Sequence, residues 1–187
     1  LHAKVLNIGC GAGLTSNPLA ERGYNVTGVD FSKENLEIAA KNDPTNSVKY
    51  LYGSALDLPF PEESFDVAIA MDILEHVEKP EKLLLEASRV LKPEGILFFH
   101  TFNQNPLSYF LIVKGPEWCV KNTPKNMYLY RLFIRPNVLK NHLNQANFSV
   151  DVLLGFRPKV YFSFLKLLMT RSDPKDWCLQ SSISSFS

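Results

Sequence analysis

Long apolar runs and a cysteine framework are both missing from this sequence of 187 residues. No stretch approaches the ~18 consecutive apolar residues of a membrane-spanning helix, and Tyr109 to Val113 is among the longest apolar runs. The three cysteines, Cys10, Cys119 and Cys178, are too few and too scattered for a zinc site or a set of disulfides. These absences exclude an integral membrane protein and a disulfide-rich secreted domain. They favour a reducing compartment, the cytoplasm or the mitochondrial matrix.

A dinucleotide-binding fingerprint is also missing, although the chain begins with a related pattern. An apolar run is followed by glycines at alternate positions, Gly9, Gly11 and Gly13, in the segment VLNIGCGAG. Glycine has no Cβ and tolerates positive φ, so such a loop turns sharply and approaches a ligand closely. A dinucleotide loop needs a small residue where Leu14 stands. Leu14 therefore argues against an NAD-dependent dehydrogenase. The loop favours a cofactor without a diphosphate, such as S-adenosylmethionine, and Cys10 lies inside this cofactor-binding loop.

An acidic residue follows the glycine loop at a meaningful distance. The apolar run Asn25 to Val29 ends in Asp30, close to the ~20-residue offset at which a carboxylate meets ribose hydroxyls in nucleotide-binding α/β folds. A carboxylate accepts hydrogen bonds from both hydroxyls and repels a 2′-phosphate, which argues against NADP. A lone aspartate after a strand is more often a surface residue, but its separation from the loop favours cofactor binding.

Strand-like and helix-like segments alternate along the first hundred residues. Short runs rich in β-branched or aromatic residues predict buried parallel strands; they cover residues 5–8, 25–29, 48–52, 65–70 and 96–102. Helical patterns lie between them; they cover residues 14–22, 33–41 and 80–91. The alternation predicts an α/β fold with a Rossmann-like, doubly wound, mostly parallel sheet. We expect one domain over residues 1–187, with a cofactor-binding half at 1–102 and a substrate or lid half at 103–187.

The pattern changes after Phe102. Residues 103–123 contain Pro106, Gly115 and Pro116 around an apolar, aromatic stretch, which predicts a lid over the sheet edge. Residues 136–146 predict a helix that opens with proline. Residues 148–154 predict a strand that completes the sheet, and the tail from Gln180 is expected to fray.

Two segments after predicted strands supply further cofactor contacts. Ser54 and Ala55 follow the third strand and are expected to meet the edge of an adenine ring, while Phe31 covers the face of that ring. Met71 ends the fourth strand and suits packing against adenosine or the sulfur-bearing arm.

The densest polar group in the sequence lies directly after the fourth strand, in MDILEHV. If this segment is helical, Asp72, Glu75 and His76 stand at i, i+3 and i+4 and share one face. Two carboxylates and an imidazole can bind a divalent cation such as Mg²⁺, or His76 alone can remove a phenolic proton near neutral pH. The plainer alternative is a capping aspartate, a solvated glutamate and a half-buried histidine. Their place at a strand end favours catalysis.

The two halves of the chain differ in charge. Residues 1–102 carry 9 basic and 15 acidic side chains, whereas residues 103–187 carry 11 basic and 4 acidic ones. A basic half suits anionic lipid, nucleic acid or an acidic substrate, or is an ordinary solvated face. Nucleic acid is disfavoured, because an enzyme that methylates exocyclic amines carries Asn or Asp before Pro-Pro and an aromatic residue where MDIL stands here.

Taken together, the motifs resemble a known family. On VLNIGCGAG, VTGVD, GSALDLPFPEESFD and LEHV, residues 4 to about 102 resemble the class I S-adenosylmethionine-dependent methyltransferases. On MDILEHV, the segment from Phe98 to Asn126 and FIRPNVL, the chain resembles more narrowly the ubiquinone-biosynthesis O-methyltransferases, as far as about residue 145.

The resemblance implies a reaction and a set of site residues. Family members methylate a catechol-like hydroxyl on a polyprenylated ring and associate peripherally with membranes. By resemblance, Gly9, Asp30 and Met71 contact the cofactor. Three residues correspond to the positions that the family uses for magnesium: Asp72, Glu75 and His76.

The chain also departs from the family. Asn7 stands where an acidic residue is common, and Asp72 replaces a longer glutamate. Family members carry helices with a cofactor-contacting arginine before the first strand, and this sequence begins at Leu1 just before that strand. The alternatives are therefore a methyltransferase with another acceptor, or a catalytically weak, cofactor-binding paralogue.

Overall fold

A computed structural model describes residues 3–115, 128–158 and 181–185 of the chain. The chain divides into two compact units, Leu1–Ser149 and Val150–Ser187, each with its own β-sheet. The first unit is a five-stranded parallel sheet with helices between its strands, which confirms the expected α/β, doubly wound fold. The expectation of one domain over all 187 residues stays a prediction.

The first four strands of the first unit match the predicted apolar runs to within one residue, whereas the fifth, predicted at residues 96–102, begins five residues earlier and ends two residues earlier. The strands are β1 Lys4–Ile8, β2 Asn25–Asp30, β3 Lys49–Tyr52, β4 Phe65–Met71 and β5 Leu91–His100. Their order across the sheet is β3-β2-β1-β4-β5. Because β1 pairs with β2 on one side and β4 on the other, the strand order reverses beside β1. In open α/β sheets, the crevice beyond the carboxyl ends at such a point is where ligands bind.

Three helices begin at the predicted residues, Lys33, Pro80 and Pro136, while the first begins two residues later than predicted and the one at Pro106 was predicted only as part of a lid. The helices are α1 Ser16–Glu21, α2 Lys33–Lys41, α3 Pro80–Val90, α4 Pro106–Ser108, which continues into a π-helical turn Tyr109–Lys114, and α5 Pro136–Gln145. Ser32 caps α2, because its Oγ accepts from the Asn35 amide at 3.2 Å. Both α3 and α5 open with proline, whose missing N–H costs nothing in a first helical turn.

The core of the first unit lies between the central strands and two of the helices. Leu6 and Ile8 of β1 and Leu83 and Leu84 of α3 are fully buried. Leu143 of α5 belongs to the same apolar cluster. Burying a side chain of this size contributes about 1.5–3 kcal/mol. This packing joins the central strands to α3 and α5 and so stabilises the sheet that carries the loops.

The strand predicted at residues 148–154 is wrong. The Phe148 amide donates to Leu143 O at 2.9 Å after Asn147 takes a left-handed conformation at φ 59°, so these residues close the end of α5. Phe148 packs against the core cluster. Its apolar side chain is therefore buried without a strand, although the sequence pattern predicted one. The central sheet therefore has five strands within the described residues, with β5 at its edge.

The second unit contains a short hairpin-like pairing. Strands β6 Leu154–Pro158 and β7 Ser181–Ser185 pair antiparallel, so the expectation of a frayed tail from Gln180 is wrong for residues 181–185; the other residues of that tail lie outside the described part. Of the predicted lid at 103–123, residues 106–114 are helical, and residues 116–123 lie outside the described part. No helix in the described ranges is long and apolar enough to cross a bilayer.

Candidate functional site

The glycine loop turns back over the end of β2. The amides of Gly9 and Cys10 both donate to Val29 O, at 2.8 and 3.0 Å. Gly9, Gly11 and Gly13 have φ values of 70°, 51° and 83°, which side chains with a Cβ rarely adopt. The sequence prediction of a sharp loop at the carboxyl edge is thus confirmed in its conformation.

Asp30 joins the loop to the second strand. One oxygen of its carboxylate accepts from the Gly11 amide at 2.8 Å, and the other accepts from the Ser32 amide at 2.8 Å. Each carboxylate oxygen has two acceptor positions. Asp30 is therefore held in place and still has one acceptor position on each oxygen for a pair of vicinal hydroxyls.

A buried polar chain supports the loop from behind. The Tyr50 hydroxyl donates to Asn17 Oδ1 at 2.5 Å, and Asn17 Nδ2 donates to Ala39 O at 3.1 Å. A Cβ on Gly13 would lie 2.7 Å from the Tyr50 hydroxyl, so the loop and Tyr50 are in close contact. Burial raises the pKa of the Tyr50 phenol to about 12, which keeps it a hydrogen-bond donor. The sequence analysis did not include Tyr50 or Asn17, because their pairing depends on the register of β3.

Cys10, predicted to bind the cofactor, turns its side chain inward. It is only 6% exposed, and a Cβ on Gly28 would lie 2.8 Å from its sulfur. Burial raises the pKa of this thiol to about 12, with the Asp30 charge adding to the effect. Only the backbone of Cys10 is available to a ligand, and the thiol belongs to the packing between β1 and β2.

The segment after β3 reaches the same edge. The Gly53 amide donates to Asp30 O at 3.1 Å. Ser54 and Ala55, the next two residues of the chain, therefore begin close to Asp30. Ser54 Oγ accepts from the Leu56 amide at 3.1 Å, and Ala55 packs against the core. Phe31 is 72% exposed, a large apolar area that a bound ring would cover.

Charged residues of α3 hold the loop that follows. Arg89 donates to Phe60 O at 2.7 Å and Leu58 O at 3.0 Å, while Glu86 accepts from the Leu58 amide at 2.8 Å. Arg89 and Glu86 also pair with each other at 2.7 Å. The segment between β3 and β4 is thereby tied to the core helix α3 through Leu58 and Phe60.

The segment after β4 is not the helix assumed from the sequence. Asp72 leaves the strand at φ 54°, and only residues Leu74–His76 form a 3₁₀ turn. Asp72, Glu75 and His76 therefore do not share one helix face. A Cβ added to Gly9 would meet the Ile73 side chain, so this segment lies directly against the glycine loop.

Each of the three polar residues has a different neighbour. Asp72 pairs with Nδ1 of His100, Glu75 Oε2 accepts from the Thr101 hydroxyl at 2.9 Å, and the His76 ring lies 5.7 Å from that of Tyr128. Across the part of the chain that the structure describes, no three His, Cys, Asp or Glu side chains are grouped to hold a metal ion. The predicted ligands are close in sequence but are not assembled into one donor set.

Glu75 is enclosed by the protein. It is 1% exposed, and its Oε1 has no hydrogen-bond partner among the described residues. Burial raises the pKa of Glu75, and the hydrogen bonds from its own amide and from Thr101 offset only part of that effect. Its structural role is to bind the end of β5 to the turn that carries His76.

Four rings form a continuous row beside these residues, which we call the ring row: His100, Phe102, Tyr128 and His76. The ring centres of successive members are 5.4, 5.4 and 5.7 Å apart. Sequence reasoning included only His76 of the four. His100 and Phe102 are two residues apart at the end of a strand. This spacing could have predicted that their rings lie on the same side.

Comparisons with known proteins agree with this geometry. A family model described as "Methyltransferase domain" matches residues 6–99. The ubiquinone biosynthesis O-methyltransferase of Actinobacillus pleuropneumoniae is 34% identical over 160 residues, which cover 82% of this chain and 68% of that relative. A protein of the same name from Pseudomonas putida is 35% identical over 156 residues, which cover 81% of this chain and 67% of the relative.

Solved structures support the fold. A SAM-dependent methyltransferase from Thermotoga maritima, described as a possible histamine N-methyltransferase, matches with a TM-score of 0.68 at 22% identity. The match covers 100% of this chain and 77% of that one. With the glycine loop, Asp30 and Met71 at one sheet edge, the chain belongs to the class I S-adenosylmethionine-dependent methyltransferases, in the family of the ubiquinone-biosynthesis O-methyltransferases.

Proposed function

We propose that this protein transfers the methyl group of S-adenosylmethionine to a hydroxyl of a small, prenylated phenol or catechol. The observation that carries the proposal is the meeting of two features at one sheet edge. The glycine loop and Asp30 lie on one side, joined by the 2.8 Å bond from the Gly11 amide, and the ring row lies on the other. The names of the relatives from Actinobacillus and Pseudomonas support a hydroxyl acceptor.

The cofactor fits the residues on the glycine-loop side. When bound, S-adenosylmethionine supplies a methyl group activated by a sulfonium. Asp30 would accept from the two ribose hydroxyls through the positions left open by Gly11 and Ser32. Phe31 would cover one face of the adenine, and Ser54 and Ala55 would meet its edge. Met71, 41% exposed, would pack against the sulfur-bearing arm.

The acceptor fits the residues on the ring-row side. An aromatic acceptor gains offset or edge-on contacts with Phe102 and Tyr128, and such contacts are worth about 0.5–1.5 kcal/mol each beyond burial. Methyl transfer needs little covalent help from the protein, so catalysis rests on alignment of donor and acceptor at near-attack distance and on exclusion of water. His76 borders this space and is the imidazole that the sequence proposes as proton acceptor.

Magnesium does not enter this mechanism, because the residues predicted to hold it do not fit an ion. Asp72 is paired with His100, Glu75 is buried beneath Thr101, and His76 lies against Tyr128. A divalent cation needs several oxygen ligands that converge on one point. No step is therefore assigned to a metal.

We also propose that the acceptor carries a prenyl chain and that the protein binds peripherally to a lipid surface. Residues 103–187 carry 11 basic and 4 acidic side chains. A positive segment is attracted to anionic headgroups, by about 1 kcal/mol for each basic residue near the surface. Peripheral binding would bring the protein to a substrate dissolved in the membrane. Sedimentation with vesicles of anionic phospholipid, compared with neutral vesicles, measures this attraction.

The function is tested by incubation with labelled S-adenosylmethionine and a panel of prenylated catechols, with and without Mg²⁺. We expect label in the catechol ether at equal rates in both conditions. Label in no acceptor, together with tight binding of S-adenosylhomocysteine, would identify a cofactor-binding paralogue instead. Label only in RNA or DNA would replace the phenolic acceptor.

A further inference from the structure

A second series of rings branches from the ring row and leads to the helical segment after β5; we call it the outer row. Its members, in the order of their contacts, are Phe102, Phe133, Tyr130, Tyr109 and Phe110. The ring centres of successive members are 5.3, 5.7, 5.3 and 5.5 Å apart. Because Phe102 belongs to both rows, the outer row begins at the place assigned to the aromatic acceptor.

Hydrogen bonds join the two segments that carry the outer row. The Ile134 amide donates to Phe102 O at 3.1 Å, and the Gln104 amide donates to Ile134 O at 3.4 Å. The Gln104 side chain also donates to Tyr130 O at 3.4 Å. The segment with Tyr130 and Phe133 is thereby held beside the chain that leaves β5, so the rings do not depend on separate loops.

The outer row is buried at its inner end and exposed at its outer end. Phe133 is 3% exposed and supports the row from beneath, Tyr130 and Tyr109 are half-buried, and Phe110 is 55% exposed. The Tyr109 ring has a neighbour on each side, because Tyr130 meets it edge-on at 5.3 Å and the Lys114 ammonium lies 5.9 Å from its centre. A ligand can therefore contact Tyr130, Tyr109 and Phe110 in turn without displacing the core.

An aliphatic side chain extends the apolar surface at the outer end. Leu107 is 46% exposed and stands three residues before Phe110, so the two side chains lie on one face of the helical segment. Single exposed apolar side chains are ordinary on soluble proteins, whereas a contiguous apolar surface marks a binding site. This surface is continuous through the outer row with the place assigned to the acceptor.

The form of the outer row favours a linear apolar occupant. A flat ring system would cover only one or two of its members, whereas a flexible chain can follow the series from Phe102 to Phe110. The free energy gained by such a chain grows with the apolar area that it removes from water. A chain attached to the acceptor would therefore gain free energy with each further ring that it reaches.

We propose that the outer row binds the prenyl chain of the methyl acceptor and that Tyr109 and Phe110 determine the preferred chain length; this inference rests on the proposed function. The phenolic ring of the acceptor lies against Phe102. Its chain extends from there across Tyr130 to Tyr109 and then to Phe110. Chain units that pass beyond Phe110 enter water and add nothing to binding.

The proposal is tested by measuring kcat/KM on catechols that carry no chain or a chain of one, two or three isoprene units. For each protein, the quantity compared is the ratio of kcat/KM on a prenylated catechol to that on the unprenylated one. We expect this ratio to rise with chain length in the wild type. Phe110→Ser should lower the ratio for the longest chain about tenfold, because a half-covered phenylalanine contributes about that much to apolar binding.

The position of each ring predicts which chains are affected. Tyr109→Ser should lower the ratio for shorter chains as well, since the chain reaches Tyr109 before Phe110. Leu85→Ser is the matched control, because Leu85 is 48% exposed on α3 and is not a member of the outer row. We expect its ratios to equal those of the wild type.

The outcomes separate the inference from the function. A wild-type ratio that does not rise with chain length, or variant ratios equal to those of Leu85→Ser, would overturn the inference, while transfer to the unprenylated catechol would still uphold methyl transfer to a hydroxyl. A variant that loses the same factor on every acceptor would show a structural role for its ring and would overturn the inference too. No transfer by the wild type to any catechol would remove the function and the inference together.

Discussion

Asp30 is the residue on which cofactor binding depends most. Its carboxylate is fixed by the amides of Gly11 and Ser32 and keeps acceptor positions for two hydroxyls. Asp30→Asn replaces one acceptor oxygen by a donor, and a hydrogen bond to a charged group is worth about 1.5–3 kcal/mol. We expect the affinity for S-adenosylhomocysteine to fall about 10- to 100-fold, measured by calorimetry.

The control for this substitution is Glu37→Gln, an exposed carboxylate on α2. It removes the same charge without touching the glycine loop, so we expect its affinity to match the wild type. If Asp30→Asn binds S-adenosylhomocysteine as tightly as Glu37→Gln does, Asp30 does not contact the ribose.

His76 is the second single residue with a distinct expected effect. Its ring closes the ring row beside Tyr128, at 5.7 Å between centres. His76→Ala should lower kcat/KM for the acceptor by about tenfold or more, since small misplacements of a reactant are costly. Binding of S-adenosylhomocysteine should not change. Steady-state kinetics measure this effect, and Glu78→Gln, at an exposed position, is the control. Unaltered kinetics of His76→Ala would show that His76 does not contact the acceptor.

The glycine loop is the element whose backbone can be tested most cleanly. At Gly13, φ is 83° and a Cβ would lie 2.7 Å from the Tyr50 hydroxyl and 3.0 Å from the Ala39 Cβ. Gly13→Ala therefore combines backbone strain of about 1–2 kcal/mol with a collision. We expect the free energy of unfolding in urea to fall by about 2 kcal/mol or more.

Gly11→Ala separates strain from collision in the same loop. Gly11 has φ 51°, but a Cβ there would meet no atom within 4 Å. Its loss of stability should be the smaller of the two, and we expect its main effect to be weaker cofactor binding, because the added methyl group would enter open space beside the amide that bonds to Asp30. Equal losses of stability in both variants would contradict the contact between Gly13 and Tyr50.

Stability of the whole molecule should depend on pH through Asp43, in the turn between α2 and β3. Burial raises the pKa of this carboxyl, but hydrogen bonds from Thr45, Ser47 and Val48 outweigh it and hold the pKa below its ordinary value. A lowered folded-state pKa contributes stability above the ordinary value, and that contribution is lost as pH falls through the folded-state value.

Urea unfolding at neutral pH and near pH 3 measures this contribution. Asp43→Asn should be less stable at neutral pH by about 1–3 kcal/mol, because its amide group faces backbone donors. It should also lose less stability than the wild type on acidification. Glu37→Gln, on the preceding helix α2, should behave like the wild type at both pH values. An identical acid response of Asp43→Asn and wild type would contradict the role of Asp43.

The sheet was predictable from the sequence wherever its signals are local. The apolar runs of β1, β2 and β4 are short and bounded by turn residues, and the Gly9 to Asp30 separation spans one strand–helix–strand unit. The strand predicted at 148–154 failed because an apolar residue such as Phe148 can be buried by closing a helix as well as by a sheet.

The acceptor side of the site was less predictable. Asp72 and His100 are 28 residues apart, and their pairing follows from the parallel register of β4 and β5. No local sequence pattern predicts how these two strands align. Asp72 also has a left-handed conformation, at φ 54°, and only Leu74–His76 form a 3₁₀ turn after it, so the helix on which the metal prediction depended is not formed.

A crystal structure of the protein with S-adenosylhomocysteine tests the central claim most directly. The account predicts ribose hydroxyls within hydrogen-bond distance of both Asp30 oxygens, adenine beside Phe31, and the sulfur between Met71 and His100. Density for the adenosyl group anywhere other than this edge, or a ribose that does not touch Asp30, would contradict it.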